Sequence, residues 1–101
     1  MKYEEMASLM DNIFEEVKST RDEGQKEYAR STDDVHANFK RVAELTGQDP
    51  KAVIMTYMYK HIDGIAAYIQ GHKSQREDVR GRITDTIVYL LLLWGYIDCE
   101  K

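Results

Sequence analysis

Lys60 and His61 stand side by side in YMYKHIDGI, and Asp85 stands in RGRITDTIVYLLLLWGY, at the edge of the most apolar stretch of the chain. A carboxylate set against the run Ile87–Ile97 is costly to bury unless a cation meets it, and Lys60, His61 and Arg82 are the candidate cations. Two chemistries fit. Asp85 and one cation can form a buried ion pair that holds two helices in register. Alternatively, the cations face a phosphate, and Asp85 orients one of them or holds a sugar or a metal. Arg82, Asp85, Tyr89 and Leu92 fall on one helical stripe, and Tyr57, Lys60, Gly64 and Tyr68 on another. If the stripes face each other they enclose aromatic walls, cationic groups and one carboxylate. Tyrosine faces stack on bases, and Lys or Arg meets phosphates. Gly64 leaves room there either for a ligand or for close helix packing.

A second set is acidic. Glu16, Glu23 and Glu27 are seven and four residues apart, so they share a face of a continuous first helix. Facing Asp85, that face could hold Mg²⁺ through oxygen ligands. The same spacing also describes a solvated acidic face. His36, His61 and His72 form no H-x-x-x-H pair, and His61 reads as a histidine at the edge of the core. No serine or cysteine has a base at motif spacing, and no glycine loop is built to cradle phosphate. Cys99 is alone, which excludes a disulfide framework and a cysteine-based metal site.

The elements that must position these residues read as helices. Met6, Leu9, Met10, Ile13 and Val17 recur at helical spacing, in a helix expected to pass Gly24 and end near Arg30. Ser31-Thr32-Asp33-Asp34 predicts the start of a second helix, carrying Val35, Phe39, Val42, Ala43 and Leu45 and closed by Gly47. Asp49-Pro50 opens a third helix, with Ile54, Met58, Ile62, Ile65 and Ile69 on its apolar stripe and Gly71 at its end. Ser74-Gln75-Arg76-Glu77 has capping-box form and predicts a fourth helix to about residue 98. That helix is apolar nearly all round from Ile87 to Trp94, so it is expected at the centre of a bundle or against another subunit. The predicted architecture is one all-α domain, a compact bundle of four main helices completed by homo-oligomerisation through the fourth.

Bulk composition narrows the function classes. A chain of 101 residues with 43% hydrophobic and 32% charged residues supports one globular core and excludes a disordered chain. The net charge is −4 and basic residues are scattered among acidic ones, which disfavours a long nucleic acid as partner but leaves a small phosphorylated ligand open. The opening MKYEEMASL lacks an apolar core followed by a cleavage site, and Ile87–Ile97 is shorter than the roughly 20 residues a spanning helix needs. The expectation is a cytoplasmic protein with no membrane partner.

The run KEYARSTDDVHANFKRVAELTG, then MYKHIDGI, then RITDTIVYLLLLWG resembles a family of small phage and bacterial proteins. These are relatives of the MazG-like all-α nucleotide pyrophosphohydrolases that carry the nucleotide modification associated domain. The resemblance rests on Lys26-Glu27-Tyr28-Ala29, Asn38-Phe39, Lys60-His61, Glu77 and Asp85 to Tyr89, and covers about residues 24–97. Two departures stand out. Val88 replaces the asparagine usual before the tyrosine, and Arg82 stands three residues before Asp85 where an acid would serve the metal. Such enzymes need metal to activate water and neutralise a triphosphate. The resemblance therefore implies a phage-encoded protein that holds or sequesters a nucleotide without hydrolysis and without a required cofactor, an anti-defence use being one that fits. Its implied ligand residues are Lys60, His61, Arg82 and Asp85, with Tyr28, Asn38, Tyr57, Tyr89 and Lys26 around them. Under the enzyme alternative, a Mg²⁺-dependent pyrophosphohydrolase would use Glu16, Glu23, Glu27 and Asp85. A third alternative is a structural oligomer without a small ligand.

Overall fold

Side-chain caps, placed locally by sequence, set where the helices start. Asp49 accepts a hydrogen bond from the Lys51 backbone N–H (2.8 Å), and Pro50 occupies a first-turn position where its missing donor costs nothing. Asp78 does the same for the Arg80 N–H (2.8 Å) at the head of the last helix. The computed structural model describes residues 1–28, 33–72 and 78–100. They form α1 (Tyr3–Tyr28), α2 (Ala37–Thr46), α3 (Pro50–Ile69) and α4 (Val79–Cys99), with no strand among the described residues. The protein is an all-α bundle. None of these helices is long and apolar enough to cross a membrane.

One boundary differs from expectation, and another falls outside the described residues. The second helix begins at Ala37 and not in the Ser31–Asp34 segment. Asp34 Oδ1 accepts the His36 N–H (2.9 Å) and the Asp34 carbonyl accepts the Ala37 N–H (3.2 Å), so this acid closes a turn ahead of the helix. Val35 consequently sits in the turn, exposed. The fourth helix is described from Val79; its expected capping box, Ser74 to Glu77, lies outside the described residues, as do Ala29 to Thr32. Gly47 closes α2 in the left-handed region (φ 70°), which a side chain would strain.

α3 and α4 share the largest interface and run antiparallel. Lys51 at the start of α3 pairs with Glu100 just past the end of α4, while His61 further along α3 meets Asp85 nearer the start of α4. The core comprises Val17, Phe39, Ala43, Val53, Ile54, Val88 and Leu92. Ile54 and Val53 are the most deeply enclosed. His36 is buried and its Nε2 lies 2.8 Å from the Leu92 carbonyl. A carbonyl only accepts, so Nε2 carries the proton, and the ring pins the head of α2 onto α4.

The bundle leaves apolar surface uncovered. On α1 only Val17 is buried, and Met6, Leu9, Met10 and Phe14 are exposed. α4 is not buried on all sides within one chain: Leu90, Leu91, Trp94 and Ile97 are each at least half exposed. Its packing partners, α3 and α1, cover only part of its circumference.

Candidate functional site

α1, the head of α2, the middle of α3 and the middle of α4 enclose a concave pocket of about 340 Å³. That lies at the small end of the roughly 300–1,000 Å³ typical of small-molecule sites. Asp85, Tyr89 and Leu92 line it together, as their shared stripe predicts. Lys60 and His61 face them from α3, and Asn38 enters from α2. From α1 come Glu23, Glu27 and Tyr28, the last anchored by Arg41, whose Nη2 donates to the Tyr28 carbonyl (2.6 Å).

His61 rather than Lys60 meets Asp85. The His61 ring is buried and stacks on Tyr89, with centroids 5.7 Å apart and planes 26° from parallel. Its Nδ1 lies 3.6 Å from Asp85 Oδ2, beyond hydrogen-bond length, and this enclosed nitrogen has no hydrogen-bond partner among the described residues. Asp85 is about one-third exposed (34%), so water still supports its charge and the penalty expected from the apolar run is reduced. Burial, and then the Asp85 carboxylate, push the Tyr89 phenol above its ordinary pKa, so it stays a neutral hydrogen-bonding wall.

Other expected residues lie elsewhere. Tyr57 packs inward against Phe39 (5.7 Å) and Tyr89 (6.4 Å), supporting the wall without lining the pocket. Lys26 and Glu16 are exposed outside the lining, and Tyr68 is likewise exposed outside it. Arg82 does not line the pocket either. Its stem crosses Gly64: a Cβ there would stand 2.4 Å from Arg82 Cδ. Its Nη1 reaches the Lys60 carbonyl at 3.5 Å. The space at Gly64 is therefore filled by Arg82 and not by a ligand.

The cation that sequence reading missed is Arg21. It lines the pocket from α1, beside Gly24, and donates to Gln25 Oε1. Its signal was available, since Val17, Arg21, Gly24 and Tyr28 share one helical face. With Arg21 and Lys60 against Glu23, Glu27 and Asp85, the lining is mixed in charge rather than cationic. Three of the four carboxylates expected for Mg²⁺ line this pocket, yet no three His, Cys, Asp or Glu among the described residues converge closely enough to hold a metal. Comparison of the chain with protein-family models, with curated proteins and with solved structures gives no match.

Proposed function

We propose that the pocket holds a mononucleotide-sized ligand without cleaving it. The observation that carries this reading is the stacked His61–Tyr89 wall set beside a buried His61 nitrogen without a partner among the described residues, in a cleft that also presents Lys60, Arg21 and Asn38. Aromatic faces take a base through stacking, the amide and carboxylates meet amino and hydroxyl groups, and the cations meet phosphate. The volume of about 340 Å³ suits one nucleotide better than a dinucleotide. The order of motifs along the chain, which resembles that of nucleotide-handling MazG relatives, supports the same reading, and sequestration of a nucleotide in a phage-infected cell is a use that fits it.

The enzyme reading is favoured by one observation, the presence of Glu23, Glu27 and Asp85 in the same lining. A thermal-shift screen of ribo- and deoxyribonucleoside 5′-phosphates, in EDTA and in Mg²⁺, separates the two. Binding without hydrolysis predicts stabilisation in EDTA, with the ligand recovered intact by mass spectrometry. Stabilisation confined to Mg²⁺, accompanied by pyrophosphate release, overturns it in favour of hydrolysis. Assembly belongs to the same proposal: a second copy of the chain covers the exposed α4 face of Leu90, Trp94 and Ile97, because a face this apolar on a small acidic domain is most simply buried by symmetric association.

A further inference from the structure

From the placement of Arg21 between two cavities we infer that it is the phosphate anchor of the pocket, so that a bound nucleotide lies with its phosphate at α1 and its base at His61–Tyr89. The inference rests on the nucleotide reading for the base, and on Arg21 alone for the anion.

The geometry is specific. Arg21, Val35 and Leu92 line both the large pocket and a second, largely apolar cavity of about 200 Å³ that continues toward His36 and Gly95. Arg21 therefore stands at the junction of the two, with its Nη1 over Gly24, 3.6 Å from where an added Cβ would lie. Its hydrogen-bond partner is the neutral amide of Gln25. Among the described residues no carboxylate comes within ion-pair distance of it. Partial burial lowers its pKa, and Asp22 opposes this only through space. A partly desolvated guanidinium held by one neutral partner retains unused donors in a rigid fork, the geometry that matches a phosphate bidentately. Arg82, by contrast, spends its length across Gly64, outside the lining. Gln25 holds one arm of the Arg21 fork.

The test is isothermal titration of the full chain and of Arg21→Gln and Arg21→Lys. The probes are nucleoside 5′-monophosphates, the matching nucleosides and inorganic phosphate. Arg21→Gln is expected to weaken monophosphates about 10- to 100-fold, the loss typical of a charged hydrogen-bonded contact, while nucleosides change less than about twofold. Arg21→Lys keeps the charge but not the fork, and is expected to recover only part of the loss. Circular dichroism establishes that both variants fold. Equal monophosphate affinity in the parent and Arg21→Gln overturns the anchor while leaving nucleotide binding intact. Arg21-dependent binding of inorganic phosphate without any nucleoside affinity upholds the anchor and overturns the base assignment. Absence of binding by every probe to the parent chain overturns both.

Discussion

Replacing His61 by Phe tests whether the histidine serves the fold or the pocket. The substitution keeps an aromatic ring for the stack on Tyr89 at 5.7 Å and removes a buried Nδ1 that has no hydrogen-bond partner among the described residues. Leaving such a group desolvated costs about 1–3 kcal/mol, which the variant recovers. Against this stands the lost contact with Asp85 at 3.6 Å. Because that carboxylate keeps a third of its surface, the contact is discounted for solvent screening to about 0–1 kcal/mol. The larger phenyl ring adds an overpacking cost of up to about 1 kcal/mol. The balance runs from about 1 kcal/mol less stable to about 3 kcal/mol more stable than the parent, centred on a gain of about 1 kcal/mol, and each kcal/mol gained raises the melting temperature by roughly 4–8 °C. Urea unfolding followed by circular dichroism at neutral pH reads it directly. A loss of more than about 1 kcal/mol would refute the reasoning, because it would mean that Nδ1 is satisfied in the folded protein and that the pair is a structural clamp between α3 and α4.

Two further outcomes follow from the same geometry. The Lys40 ammonium, and then the His36 N–H, hold the Asp34 carboxyl below the ordinary carboxylate range. Its folded pKa is depressed, so its stabilisation is complete above the unfolded value of about 3.9 and is lost as pH falls through the lower folded value. Unfolding free energies measured from neutral to acid pH should therefore show an acid limb that flattens in Asp34→Asn, and an identical limb in both proteins would discount this acid. Trp94→Asp on the exposed α4 face is expected to convert an oligomer to monomer by light scattering, with helicity retained; a parent chain that is monomeric at high concentration removes the interface.

The parts of the fold legible in sequence were those set by local chemistry. Asp49-Pro50 and Gly47 act within a turn of their own position, so α3 began and α2 ended as predicted. The start of α2 is not legible in the same way, because an oxygen-bearing side chain serves a turn as readily as a cap, and Asp34 serves the turn. In the site, Asp85, Tyr89 and Leu92 came together because helical period decides a shared face. Arg82 obeys the same period but not the same destination. Helical side chains lean toward the N-terminus of their helix, and a long one leans furthest, so Arg82 reaches back over Gly64 and away from Asp85. Arg21 is not legible from apolar spacing, because it is a polar residue that continues the Val17 face of α1.

The crossing of Arg82 over Gly64 also limits how this sequence can drift. Any residue other than glycine at 64 puts a Cβ where the arginine stem now runs, at 2.4 Å from Cδ and 2.6 Å from Cζ. The stem can swing out, but it then gives up the Lys60 carbonyl. Positions 64 and 82 are thus linked through the path of the arginine: a side chain at 64 pushes its flexible end outward, and Arg82 keeps its present course only while 64 stays bare.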